Sequence, residues 1–166
     1  MVQLTNMNIK HNKGFTLIEL LVVIGVIAIL AAVVVSALGG ARNKASDKAS
    51  FSDLNNTRTQ ANLYYTGSGA STYGTLTEAC NAGMFSADTT IAAAIAHATT
   101  NSNAIACNVG PTNQTFAVAV TLKTGSGYYC VDSSNTGRTI STSVATSGLV
   151  GAGATYALNT TTGLCI

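Results

Sequence analysis

Residues 15–38 form an unbroken apolar run of 24 residues in which Glu19 is the only charged side chain. At about 1.5 Å rise per residue, a helix of this length reaches roughly 36 Å, enough to cross a bilayer hydrocarbon core of about 30 Å. The pattern then changes abruptly: Arg42, Lys44, Asp47, Lys48, Asp53 and Arg58 place six charges within 17 residues. Through the same stretch Ala41, Ala45, Phe51, Leu54, Ala61 and Tyr65 recur close to helical spacing, which leaves the charges on the other faces. The two patterns predict one continuous helix over residues 16–65. It is apolar all round in its first half and amphipathic in its second, where a narrow apolar stripe would pack against a soluble head. Turn-forming residues 66–72 end it.

Beyond that turn the elements are shorter. Thr75-Leu76-Thr77-Glu78 has the spacing of a capping box and predicts a short helix through residue 82. Asp88 stands where an N-cap belongs, ahead of Ile91, Ile95 and Ala98, and predicts a second. Residues 115–123 alternate as a strand does, with Phe116, Val118, Val120 and Leu122 on one side and Ala117, Ala119, Thr121 and Lys123 on the other. Residues 124–127 read as a turn and 128–132 as the returning strand of a hairpin. A turn over 133–137, a third strand over 138–144 and a last candidate over 155–159 complete the pattern. The expected fold class is α+β: a long N-terminal helix, half transmembrane and half amphipathic, packed on a small C-terminal antiparallel β-sheet head. About 100 residues are enough for one modest core.

Composition narrows the function. After residue 65 the only charges are Glu78, Asp88, Lys123, Asp132 and Arg138, against an excess of Thr, Ser, Asn, Ala and Gly. Such a neutral, hydroxyl-rich head suits a secreted or fibrous exterior better than a cytosolic enzyme. The chain carries a net charge of +2; without Lys10 and Lys13 the side chains balance at six basic and six acidic. That leaves no basic field for nucleic acid, and no direct nucleic-acid site is identified. His97 sits among alanines without an obvious acidic neighbour, Glu78, Asp88 and Asp132 are not closely spaced, and Gly125 and Gly127 belong to a hairpin turn. Catalysis is not expected, nor is a cofactor. Asn55, Asn113 and Asn159 match the glycosylation tripeptide, a match common by chance.

The junction ahead of the apolar run is more specific. Residues 1–14 contain no apolar run of signal-peptide length, and no small-x-small cleavage site follows the span. Lys10 and Lys13 favour a cytoplasmic amino-terminal side, although Arg42, Lys44 and Lys48 beyond the span weaken that asymmetry. A carboxylate in a membrane helix is costly and usually has a partner, so Glu19 needs one. Lys13-Gly14-Phe15-Thr16-Leu17-Ile18-Glu19-Leu20-Leu21, running into an unbroken hydrophobic helix, resembles the prepilin junction of the type IV pilin and pseudopilin family. The resemblance is specific over residues 13–36 and vague after about residue 60.

It implies that a prepilin peptidase recognises Lys13 and Gly14, cuts after Gly14 on the cytoplasmic face and methylates the new terminus at Phe15. It further implies that Glu19 pairs with a neighbouring subunit's terminal amine during assembly. The physical reason is that each group offsets the other's desolvation in a lipid-like filament core only if they meet. Ser36 departs from the family, where many members have proline; Gly39-Gly40 are expected to supply the flexible point instead, since each weakens a helix by about 1 kcal/mol relative to alanine. The implied organisation is a leader at 1–14, a transmembrane and filament-core helix at 15–38, its amphipathic continuation at 39–65 and a head at 66–166. The precursor would lie in the inner membrane with its amino terminus cytoplasmic, in contact with lipid, and the assembled subunit in a helical cell-surface filament of copies of itself. Implied partners are the peptidase, an inner-membrane platform protein and an assembly ATPase, with adhesion, motility or DNA uptake as outputs. Within the family the alternative is a type II secretion pseudopilin. From another class the alternative is a monomeric membrane-anchored surface binding domain, and blandest is a plain signal anchor.

Cys80, Cys107, Cys130 and Cys165 all lie beyond the span, and an even number in a small exported domain favours disulfides. Of three pairings, Cys80–Cys107 with Cys130–Cys165 is preferred because each bridge staples a compact neighbouring segment. The second also resembles the carboxy-terminal loop that many pilins close with a disulfide. A disulfide-capable head leans toward a pilin, since the major pseudopilins generally lack such bridges and use calcium. The spacings of 27, 23 and 35 residues fit no zinc pattern, and Asp132 stands too nearly alone for calcium. No metal site is expected.

Overall fold

The computed structural model describes residues 14–75, 79–125, 127–134, 137–141, 158–159 and 164–165. Lys13 and the rest of the leader lie outside these residues. The chain divides into two compact units between Gly39 and Gly40.

Helix α1 spans Leu17–Thr66, close to the predicted 16–65. The backbone is helical at Gly39 and Gly40 themselves, so the glycine pair expected to mark a flexible point does not interrupt the helix. A helical glycine costs propensity but still donates and accepts the backbone bonds of the ladder.

In the second unit four strands form an antiparallel sheet in sequence order: β1 (Ile105–Val109), β2 (Phe116–Thr121), β3 (Tyr128–Asp132) and β4 (Gly137–Ile140). The register pairs Val118 with Cys107 on one side and Val131 on the other. One face of the sheet carries Cys107, Val109, Phe116, Val118, Val120, Tyr129 and Val131. It packs into a core with Leu54 and Ala61 of α1, with Met84 and Phe85 of α2 (Met84–Ala87), and with Ile91, Ile95 and Ala98 of α3 (Thr89–Asn101). Ring contacts extend it, Phe51 lying 4.1 Å from Tyr129 and Tyr73 4.8 Å from Phe116 between centroids. The opposite face carries Ala117, Ala119, Tyr128 and Cys130, buried together with Ile140 and Cys165. A two-stranded hairpin of β5 (Leu158–Asn159) and β6 (Leu164–Cys165) supplies Cys165 and lies against β2 and β3.

The stripe that α1 buries is Asp47, Ser50, Leu54, Thr57 and Ala61, spaced 3, 4, 3 and 4 along the helix. This corrects the expected stripe: Ala41 and Ala45 are exposed, and Phe51 and Tyr65 are only half-buried. Asp47 turns inward on this line because the sheet offers it donors, whereas Thr57 Oγ1 donates to the Asp53 carbonyl of its own helix at 2.9 Å. Asp47 accepts the backbone N–H of Lys123 at 2.7 Å and of Thr124 at 3.3 Å, and the Thr124 hydroxyl at 2.6 Å. A helix carboxylate thereby fixes the turn between β2 and β3. We expect Asp47→Ala to lower unfolding stability by about 1–3 kcal/mol, because those buried donors lose their acceptor. Asp47→Asn, which retains one oxygen, is expected to lose less; denaturant unfolding of the full chain in detergent measures both.

The same turn needs Gly127. Its φ is +122°, and a Cβ there would stand 2.1 Å from the Ile140 carbonyl oxygen of β4. Asp88 caps α3 as predicted, its Oδ1 accepting from Thr90 N and Ile91 N. Burial pushes this carboxyl up, but the hydrogen bonds from Gln60, Ile91 and Thr90 outweigh it and hold it below the usual range. The helix expected over 75–82 is not seen in its described residues: Thr75 and 79–82 form bends and turns, and residues 76–78 lie outside the described set. Two constraints oppose a helix there. Cys80 is bonded to Cys107 on β1, and Gly74, at φ +100°, packs so tightly on Gly83 that a Cβ would meet its Cα at 2.9 Å. The third strand ends at Ile140 and the last begins at Leu158; residues 142–144 and 155–157 of those predictions lie outside the described residues.

Candidate assembly site

Gly14 and Phe15 precede α1 without regular structure, both exposed, Phe15 at 87%. The side chain that starts the helix is Thr16. Its carbonyl accepts from Leu20 N, and its hydroxyl accepts from Glu19 N, both at 3.3 Å. In return, Glu19 Oε2 accepts the Thr16 backbone N–H at 2.8 Å and the Thr16 hydroxyl at 2.7 Å. Thr16-Leu17-Ile18-Glu19 is therefore a capping box, in which the residue at the helix start and the one three positions on satisfy each other's open donors. The spacing was present in the sequence; the role of Thr16 was missed because the apolar run drew attention to the charge of Glu19 alone.

The arrangement has a chemical consequence. Both donors from Thr16 fall on Oε2, and among the described residues none donates to Oε1. The box also holds the carboxylate within one turn of the peptide bond between Gly14 and Phe15, where cleavage would create an amine. Behind it, every residue from Leu17 to Leu38 is exposed in the single chain, including Ile24 at 58% and Leu30 at 61%. Apolar surface of this extent on a lone helix calls for lipid or for other helices to cover it. The helix is long and apolar enough to cross a membrane.

Residues 9–35 match the family described as the prokaryotic N-terminal methylation motif. The amino-terminal segment of the chain carries a prepilin-type motif. The chain is similar to a type IV wide pilus major component, PilA4, of Thermus thermophilus, with 54% identity over 46 residues. That match takes in 28% of this chain and 35% of the relative, so the chain spans about a third of the length of the relative it matches. No solved structure matches the chain. The long amino-terminal helix on a small antiparallel sheet is the fold expected of a pilin.

The other predicted residues fall in the head. The structure joins Cys80 to Cys107 and Cys130 to Cys165. The second bridge sits in a polar clasp: Asp132 Oδ2 accepts from Cys165 N at 3.1 Å, and Arg138 donates to the Cys165 carbonyl at 2.7 Å. Asp132 is 1% exposed, and its Oδ1 accepts from Ser134 N and Oγ. It is a buried structural acceptor. His97 has an acidic neighbour after all: its Nδ1 lies 2.7 Å from Asp53 Oδ2 of α1. The sequence hid this pair because 44 residues separate the two groups and only the packing of α3 on α1 brings them together. Asn55, one of the glycosylation matches, donates to the Tyr129 hydroxyl at 2.9 Å and to the Phe51 carbonyl at 2.7 Å. Its amide is engaged between helix and sheet.

Proposed function

We propose that the chain is the structural subunit of a type IV pilus-like filament and acts by polymerising. Its precursor waits in the inner membrane as a single-pass protein with its amino terminus cytoplasmic. A prepilin peptidase cuts between Gly14 and Phe15 and methylates the new amine, and an inner-membrane platform protein and assembly ATPase then move the subunit into the filament. There, copies of the 15–38 helix cover one another, and Glu19 receives the amine of a neighbouring subunit's Phe15. The observation that carries this reading is the Thr16–Glu19 box beside the Gly14–Phe15 bond, at the head of a helix with no covering of its own. A monomeric anchor gives the charge of Glu19 no designated partner, whereas polymerisation does. The two bridged cysteine pairs favour a pilus subunit over a secretion pseudopilin, and the chemistry proposed for the chain is assembly without catalysis.

Gly14→Glu tests the processing step. A peptidase that needs a small residue at the cut is expected to leave this variant with residues 1–14 attached, confined to the membrane fraction and absent from sheared surface material. Filaments built from the uncut variant would overturn the proposal.

A further inference from the structure

A helix continues wherever each backbone N–H finds the carbonyl four residues earlier. For α1 to run back through Phe15 and Gly14 it would need donors that are already taken. The Glu19 N–H would have to donate to the Phe15 carbonyl, but it donates to the Thr16 hydroxyl at 3.3 Å. The Thr16 N–H would have to donate to the carbonyl of residue 12, but it donates to Glu19 Oε2 at 2.8 Å. The Thr16 hydroxyl is held for this by its own bond to Oε2 at 2.7 Å. The regular ladder therefore opens with Leu20 N on the Thr16 carbonyl. Gly14, Phe15 and Thr16 are non-helical and exposed, and among the described residues nothing donates to the Gly14 or Phe15 carbonyl. Even a Cβ built on Gly14 would meet nothing within 4 Å.

We infer that Thr16 is a positioning residue for processing, whose capping bonds keep the helix off the Gly14–Phe15 bond and so present that bond to the prepilin peptidase. The inference rests on the processing step proposed above. Hydrolysis adds the oxygen of water to the Gly14 carbonyl carbon and breaks the C–N bond to Phe15. The Phe15 nitrogen leaves with a proton from water as the new amine. During the reaction the Gly14 oxygen gains negative charge, which donors aimed at it by the enzyme must stabilise. In a continued helix that oxygen would accept the Ile18 N–H and lie against the next turn, closed to those donors and to water. Gly14 adds its own low helix propensity. Thr16 acts through the backbone, by deciding which residue is the first of the helix.

The test incubates the full chain, purified in detergent, with a purified prepilin peptidase and follows the loss of residues 1–14 by mass. Nuclear magnetic resonance shifts of the Gly14 and Phe15 carbons in the same micelles report whether those residues are helical. Thr16→Val keeps the shape of the side chain and removes its hydroxyl. It is expected to move both residues toward helical shifts and to slow the cut by up to about five-fold, the ratio that corresponds to a lost N-cap. Thr16→Ser keeps the hydroxyl and is expected to match the wild type in both readouts. The cut in Thr16→Val still goes to completion, so slower processing is distinct from the loss of filament expected when the Glu19 charge is removed. Slow cutting of Thr16→Val with unchanged shifts overturns the inference in favour of direct recognition of the hydroxyl by the peptidase. Helical shifts with an undiminished rate also overturn it, as does a Thr16→Ser chain cut as slowly as Thr16→Val. A wild-type chain that the peptidase leaves uncut overturns the processing step itself.

Discussion

Glu19→Ala is expected to leave the head folded and the chain inserted in the membrane while the yield of surface filament falls by an order of magnitude or more. The head keeps its fold because the stripe that α1 buries begins only at Asp47. Insertion survives because removing a charge from an apolar helix only eases its entry into lipid. Assembly fails because the neighbouring subunit's amine then enters a lipid-like core with no counter-charge, and an unpaired buried ion is strongly destabilising. Two further variants separate that role from helix capping. Glu19→Gln keeps an oxygen for Thr16 but removes the charge, and is expected to assemble as poorly as Glu19→Ala. Thr16→Ala removes the cap, worth about 1 kcal/mol, but keeps the charge, and is expected to assemble far better than either. Comparison of sheared filament with total chain by immunoblotting reads all three. Equal loss in Thr16→Ala and Glu19→Ala, with Glu19→Gln spared, would make capping the whole function of the glutamate.

The paired substitution Cys130→Ser/Cys165→Ser is expected to remove about 4 kcal/mol of stability, from the loop-closure entropy of a 35-residue separation. Small domains are stable by only about 5–15 kcal/mol, so this is a large share. The loss should also be local in its first stage. Without the bridge, the β5–β6 hairpin is held over the sheet mainly through Asp132 and Arg138, each bonded to the backbone of Cys165. Its release uncovers Ala117, Ala119 and Tyr128. The Cys80–Cys107 bridge, of 27-residue separation, is expected to contribute slightly less. Denaturant midpoints with and without reductant, for the wild type and each pair of serines, measure both contributions. A midpoint indifferent to the second bridge would mean that the polar clasp alone holds the hairpin.

The elements that the sequence made legible are those with a strong local pattern. Alternation over Phe116 to Lys123 located β2, the run Tyr128 to Asp132 located β3, and Asp88 before an alanine-rich stretch located α3. Strand β1 escaped because Ile105-Ala-Cys-Asn-Val109 neither alternates nor carries a turn signal of its own; its pairing with β2 makes it a strand. The second buried face of the sheet escaped because Ala117 and Ala119 look like a solvent face until the carboxy-terminal hairpin covers them. On α1, the buried line includes Asp47, Ser50 and Thr57, which no hydrophobic pattern would choose. Asp47 becomes core-facing there because a turn 76 residues away presents its amides. At the junction the bonds from Thr16 to one oxygen of Glu19 required the backbone to be placed.

The most direct test of polymerisation is the amino-terminal peptide of this chain in material sheared from the cell surface, identified by mass spectrometry. A subunit that is cut, methylated and assembled yields a peptide beginning at methylated Phe15. A chain recovered only from membranes, with residues 1–14 still attached, would contradict the proposal and leave an anchored monomer in its place.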